Sequence, residues 1–333
     1  MDVVELAKHL INIQSTSGQE KSMSDFLATY LQERGWMVSL QEVEPERYNV
    51  FATRPGVENP SVLFNTHTDT VPPHIPVRED NGWLYGRGAC DTKSLIAAQL
   101  LAAQSLVEEG IDDIGLLYVV GEEVDHCGMK KANDLGLSPS YLIVGEPTES
   151  TLARRQKGIV KFRLEAKGKA AHSGYPETGV SSIEPLLDVL NDLRNEPWPK
   201  SKSLGATTLN IGTLHGGRAA NVVPDEAYAE ILIRVVTDEQ SIKQRVLEIV
   251  NDRVLCIMIS GNDPVELTAL EGYETSVVAF NTDIPYFSFG GKSLLWGPGS
   301  ILDAHTANER IKIEDLRAAV RMYAQIAKDC LAL

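Results

Sequence analysis

Residues 62–93 constrain this chain more than any other stretch. They read VLFNTHTDTVPP, a short loop, then GWLYGRGACDTK. Val62, Leu63 and Phe64 form an apolar run that stops at Asn65, the pattern of a buried strand bounded by polar and proline signals. His67 and Asp69 follow at its carboxyl end with one residue between them, so the two-residue period of a strand aims both side chains into one crevice. Asp91 opens a second apolar segment (Leu95, Ile96, Ala97, Ala98, Leu100, Leu101) of helical character. Open parallel sheets bind ligands beyond the carboxyl ends of their strands. An imidazole and two carboxylates gathered there look like a metal site, although His-x-Asp alone is a weak signal and more often marks a hydrogen-bonded surface pair. Gly86 and Gly88 resemble a dinucleotide loop, but Asp91 stands where the third glycine belongs. A carboxylate there repels a pyrophosphate, which excludes a nicotinamide site.

The rest of the chain narrows the function classes. No apolar run among the 333 residues is long enough for a bilayer span, and the amino terminus, MDVVELAKHL, lacks the basic-then-apolar order of a signal peptide. A soluble cytoplasmic protein without a membrane partner is expected. The formal charge of −15, with no block of Lys and Arg, argues against nucleic acid as a partner. Cys90, Cys127, Cys256 and Cys330 form no CxxC pair, so the thiols are expected reduced and without a structural zinc knot.

Strand and helix patterns alternate up to about residue 148, which predicts an α/β fold with a mostly parallel sheet. Helices are expected over 3–11, 19–34 and 92–109, and strands over 36–43, 48–53, 62–64, 115–120 and 141–144. The pattern then changes: a strand over 158–166, a helix over 181–193, strands over 207–214 and 221–236, a helix over 240–250 and a strand over 254–259. That order, βαββαβ, is that of a ferredoxin-like unit. It is read as a domain at 157–262 inserted into a larger one formed by 1–156 and 263–333. Segments 286–289, 294–296 and a last helix over 313–331 return to the first sheet.

Each candidate ligand falls just after a predicted strand or at a helix start: His67 and Asp69, Asp91, Glu122 and Glu123, Glu146, and His305 in GPGSILDAHTANE. One metal needs about four ligands, so this surplus points to two metals with a bridging carboxylate. Glu122 and Glu123, read as adjacent strand-end residues, face opposite sides, so one binds metal while the other works on water.

His67-x-Asp69, Gly88-x-x-Asp91-x-Lys93, Gly121-Glu122-Glu123, Gly145-Glu146-Pro147-Thr148, Ala171-His172-Ser173 and Ala304-His305-x-x-Asn308-Glu309 together resemble the motifs of the acetylornithine deacetylase / succinyl-diaminopimelate desuccinylase family of dinuclear zinc hydrolases. The resemblance implies a zinc-hydrolase catalytic domain with an inserted ferredoxin-like lid through which many members form homodimers. It implies two zinc ions per subunit, with Co2+ able to substitute. His67, Asp91 and Glu146 would hold one ion and Asp91, Glu123 and His305 the other, with Asp91 bridging. Asp69 would orient His67 through its second ring nitrogen, Glu122 would be the general base, and His172, carried on the lid, would stabilise the oxyanion, often in the partner's site. Asn221 resembles a lid residue that reaches the site. Arg234, alternating with Ile233 and Val235, suits a substrate carboxylate through two parallel hydrogen bonds, and suits a solvated strand face equally.

Glutamate at position 146 goes, in that family, with deacylases and carboxypeptidases rather than aminopeptidases. GPGSI and Thr282-Asp283-x-Pro285 resemble acetylornithine deacetylases in particular. The small-molecule substrate expected first is therefore N-acetylornithine, which places the chain in arginine biosynthesis. Desuccinylation, or hydrolysis of a dipeptide or a carrier-linked amino acid, comes next. A non-catalytic binding relative is the reading from another class, and intact Glu122 beside intact ligands argues against it. His9, His74, His126 and His215 match no motif and are assigned structural or surface places.

Overall fold

The apolar run at 62–64 belongs to a strand, Val62–His67, in which every residue is buried. The computed structural model describes residues 2–333, so Met1, the first residue of the range assigned to the larger domain, lies outside the description. Val62–His67 pairs in parallel with Ile114–Val119 on one side and Tyr141–Val144 on the other, and Lys292–Leu295 adds in parallel beyond Tyr141–Val144. Strands covered on both faces read as continuous apolar runs, as these do. Antiparallel strands flank them: Arg47–Thr53 and then Met37–Glu44 at one end, Leu152–Gln156 beside Lys292–Leu295 at the other.

The chain leaves Val62–His67 through the helix Lys93–Glu108 to reach Ile114–Val119, then crosses to Tyr141–Val144 on the opposite side. The winding thus reverses at Val62–His67, and reversal opens a crevice beyond the strand ends. Lys93–Glu108 is apolar on nearly all sides and packs against Val3–Asn12 and Ile313–Leu331. Buried polar side chains stitch the carboxyl ends of the parallel strands together. The Asn65 amide donates to the Leu117 carbonyl (2.8 Å), the Thr66 hydroxyl to Gly145 (2.8 Å), Gln99 to Asn65 (3.0 Å) and the Tyr323 hydroxyl to Trp296 (2.9 Å). These bonds fix the rim from which candidate ligands project.

The chain divides into two compact units. One holds the chain up to Arg154, Leu267–Ser276 and Thr282–Leu333; the other holds Arg155–Glu266 and Val277–Asn281. The second contains a four-stranded antiparallel sheet in the order Thr208–Gly216, Glu226–Val235, Gly158–Lys167, Leu255–Asn262, the ferredoxin-like arrangement. Val160, Phe162, Leu164, Ile231 and Ile233 alternate onto one face of that sheet and form a core with the helices Ile183–Asn195 and Glu239–Val250. Asp238 starts the latter helix, its carboxylate accepting from the Ser241 N–H at 2.8 Å.

Two expectations need correction. The strand expected over 221–236 is broken: Val222–Val223 pairs with Ala171–His172, and the long strand begins only at Glu226, because Pro224 has no N–H to give a ladder. Residues 286–289 form no strand; Ile284–Tyr286 is a 3-10 turn with Pro285 in its first positions, where a fixed φ favours turning. Among the described residues, no helix is long and apolar enough to cross a membrane.

Candidate metal centre

His67 ends its strand buried, with its ring between two partners. Nδ1 lies 2.9 Å from the backbone carbonyl of Asp69, an oxygen that can only accept, so Nδ1 carries a proton and Nε2 faces the crevice. Nε2 is 2.9 Å from Asp91 Oδ1 and 3.8 Å from Glu146 Oε1. From the other side, His305 Nε2 is 3.2 Å from Asp91 Oδ2 and 2.9 Å from Glu123 Oε2. Each oxygen of Asp91 therefore addresses a different histidine. One potential ligand atom from each of His67, Asp91 and Glu146 lies within 4.8 Å of the others, and the same holds for Asp91, Glu123 and His305. Glu122 belongs to neither set.

The supports of these groups come from several elements. Glu309 is buried; one of its oxygens accepts the backbone N–H groups of Gly88 (2.8 Å), Cys90 (3.2 Å) and Asp91 (3.2 Å), and the other takes the Arg87 guanidinium at 2.6 Å. Gly88 sits at φ 88, and a Cβ there would lie 2.7 Å from the Lys93 side chain, so both the backbone angle and the packing of Lys93 favour glycine in this loop. The Asp69 carboxylate is 3.5 Å from His67 Nδ1, but its shorter bonds go elsewhere: to the Ser17 hydroxyl (2.7 Å) and the backbone N–H groups of Glu122 (3.1 Å) and Glu123 (3.3 Å). Asp69 thus holds His67 mainly through its carbonyl and anchors the Gly121-Glu122-Glu123 segment through its carboxylate.

That segment corrects the strand-end expectation. The strand stops at Val119, and Glu122 and Glu123 lie in a tight turn. The Gly121 carbonyl accepts N–H bonds from Val124 (3.4 Å), Asp125 (3.1 Å) and His126 (2.8 Å). Turn geometry, not strand alternation, separates the two carboxylates: Glu123 reaches His305, whereas Glu122 comes within 3.8 Å of His126 Nδ1. His126, given no role from the sequence, is buried and bonded at 2.9 Å to Asp283, 157 residues along the chain. No local pattern marks that pair. His9 and His215 pack on Phe26 and Tyr228, with ring centroids 4.5 and 4.8 Å apart.

The electrostatics fit cations. Burial pushes the Glu122 and Glu146 carboxyls well above their ordinary range and raises Glu123, and the negative charges around each add to the effect. Burial opposes ionisation of Asp91 too, but hydrogen bonds from His305 and His67 outweigh it and lower its pKa. Burial works against a protonated His67, yet bonds to Asp69 and Asp91 and the charge of Glu146 hold it well above the usual imidazole range. Bonds to Asp91 and Glu123 push His305 up to about 10. Protons on the two imidazoles thus neutralise part of a crowded acid cluster, and divalent cations at the same Nε2 atoms would replace them. The donor set of imidazole nitrogen and carboxylate oxygen suits zinc and its neighbours.

The remaining candidates lie on the second unit. His172 is exposed and its Nδ1 accepts from the Gly174 N–H at 3.0 Å, so the neutral ring carries its proton on Nε2. Asn221 adjoins it, its carbonyl accepting from the Ser173 N–H at 3.0 Å. Arg234 is half-buried between the buried Ile233 and Val235, on the sheet face turned away from their core, opposite Thr208 and Ile159 in register.

Residues 154–255 match the family described as the peptidase dimerisation domain. A peptidase M20 domain-containing protein of Schizosaccharomyces pombe is 40% identical to this chain, over 98% of the chain and 84% of its own length. A probable carboxypeptidase of Talaromyces marneffei is 36% identical, over 97% of the chain and 85% of its own length. The solved structure of an M20 family metallo-carboxypeptidase from Sulfolobus solfataricus superposes with a TM-score of 0.81, covering all of both chains at 16% identity, a likeness of fold. The names of these relatives speak of peptidase and carboxypeptidase; none carries the finer resemblance to acetylornithine deacetylases.

Proposed function

The chain belongs to the M20 peptidase family, and from that premise we propose a metal-dependent hydrolase of the amide bond joining an acyl group to an amino acid with a free carboxylate. The observation that carries this reading is Asp91, shared between two donor sets, with Glu122 beside them and in neither. His67, Asp91 and Glu146 would hold one zinc ion and Asp91, Glu123 and His305 the other, with Co2+ able to substitute. When bound, the ions supply Lewis acidity toward the substrate carbonyl and acidify a water. Glu122 takes the proton of the attacking water and returns it to the leaving nitrogen; a carboxyl raised by burial suits both halves of that task. Asp69 keeps His67 in the tautomer that presents Nε2, and fixes the backbone of Glu122. His172 donates its Nε2–H to the oxyanion. Arg234 takes the substrate carboxylate through its planar fork, and Asn221 is a second substrate-binding residue reaching the site. Residues 157–262 serve as lid and as the surface of a homodimer.

The motifs around Gly297 and Thr282 favour N-acetylornithine, and with it a place in arginine biosynthesis. A second reading, carboxypeptidase action on a short peptide, is favoured by the names of the similar fungal proteins. Both reactions release an amino acid with its carboxylate free. The test is amine release by the metal-loaded protein from N-acetyl and N-succinyl amino acids and dipeptides. Preference for N-acetylornithine supports the first reading and preference for dipeptides the second. No release from any of them, with both metals bound, removes the hydrolase and leaves a binding protein.

A further inference from the structure

His126 stands where a turn would more readily hold glycine or asparagine. Its backbone lies at φ 59, in the left-handed region, and its N–H closes the turn onto the Gly121 carbonyl. A bulky ring in that conformation costs energy, so contacts of the ring itself must offset the cost. Three are in place. Nδ1 is 2.9 Å from Asp283 Oδ1. The ring stacks on Tyr286, centroids 4.1 Å apart at 19°. The same Nδ1 edge lies 3.8 Å from Glu122 Oε1. Both braces come from one turn, in which the Tyr286 N–H donates to the Asp283 carbonyl at 3.0 Å. The side chains of His126, Glu122 and Asp283 are 10, 13 and 3% exposed, so little water competes for these contacts.

The distances differ in kind. Asp283 is within hydrogen-bond reach of the imidazole; Glu122 is beyond it. A carboxylate that must accept a proton and release it works best when its rotamer is fixed but its oxygens are not tied up by a strong donor. A ring committed to Asp283 and pressed against Glu122 meets both needs. We propose that His126, braced by Asp283 and Tyr286, is a positioning residue for Glu122: it sets the direction of the base without taking its proton. The inference rests on the reading of Glu122 as general base.

His126→Gly and His126→Asn both suit a left-handed backbone, so they test the ring and not the turn. In the metal-loaded protein each should keep its metal content and hold KM within about threefold, while kcat falls on the order of tenfold or more, since only the positioning of a group that contributes ~10²–10⁴-fold is lost. Added imidazole should restore part of the kcat of His126→Gly. Asp283→Asn, which still offers an acceptor oxygen, should lose less than Asp283→Ala. A second readout needs no turnover: with ¹⁵N-labelled histidines, Glu122→Gln should shift the His126 ring signals. A kcat within about twofold of wild type in both His126 variants overturns the proposal, as does a joint fall of kcat, metal content and melting temperature without imidazole rescue. If the wild type releases no amine from any substrate, the hydrolase reading falls. If it is active and the His126 signals ignore Glu122→Gln, only the present inference falls.

Discussion

Glu122 and Glu123 are chemically identical neighbours whose surroundings give them different work. Glu123 contacts His305, and Glu122 contacts His126. Glu122→Gln should therefore retain both metals and lose ~10²–10⁴-fold in turnover with little change in substrate affinity. Glu123→Gln should lose one metal, and excess zinc should restore part of its activity. Elemental analysis beside turnover checks both; metal loss in Glu122→Gln with retention in Glu123→Gln would reverse the assignments. The imidazoles carry a pH consequence. In the metal-free protein His305 is held up to about 10 and His67 well above its ordinary range, so both are protonated at neutral pH. A metal must displace those protons from Nε2, so affinity weakens as pH falls, by about tenfold per unit for each proton displaced. Calorimetric titration in buffers of different ionisation enthalpy should record proton release on binding. An affinity that does not change between pH 6 and pH 8 would contradict this protonation scheme.

Loops hold this site as firmly as strands do. Glu309 collects three backbone N–H groups of the Asp91 loop and the Arg87 charge in a buried place. Glu309→Ala leaves the Arg87 guanidinium buried without its carboxylate, and the expected loss is about 3–5 kcal/mol of stability together with weaker metal binding. Removing the charge as well, in Arg87→Met with Glu309→Ala, should recover part of that loss in a urea titration. If the double variant is no more stable than Glu309→Ala, the pair is not what holds the loop. The reach of the sequence can be read at these same elements. His67 and Glu146 are legible because each ends or follows a short apolar run with the pattern of a buried strand, and strand ends converge by the rule of the parallel sheet. The turn at 121–126 is not legible in that way. It gathers three N–H groups on the Gly121 carbonyl and brings residue 126 back to residue 122, and hydrophobic periodicity carries no trace of this. Asp283 reaches His126 only through the tertiary fold, and Pro224 divides a strand that β propensity alone would run straight through.

The whole chain sorts its candidate groups by unit: metal donors and Glu122 on one, His172, Asn221 and Arg234 on the other. If the chain forms a homodimer that shares sites, mixing inactive His172→Ala with inactive Glu122→Gln subunits should regain activity, up to about a quarter of wild type for random pairing of two-fold dimers. No recovery despite demonstrated subunit exchange would confine each site to one subunit. The split also imposes an order on synthesis. The second unit is drawn almost entirely from the continuous span Arg155–Glu266, whereas the first lacks its strand Lys292–Leu295, His305 and its last helix until the end of the chain has been made. On the ribosome, where chains emerge at roughly 5–20 residues per second, the later-encoded body is thus the earlier one to find its fold. His67, Asp91, Glu123 and Glu146 remain an incomplete set of candidate donors until His305 arrives. Stalled nascent chains ending near residue 320, long enough to clear the second unit from the ribosomal tunnel while His305 is still inside it, should yield a protease-resistant fragment from the second unit and none from the first.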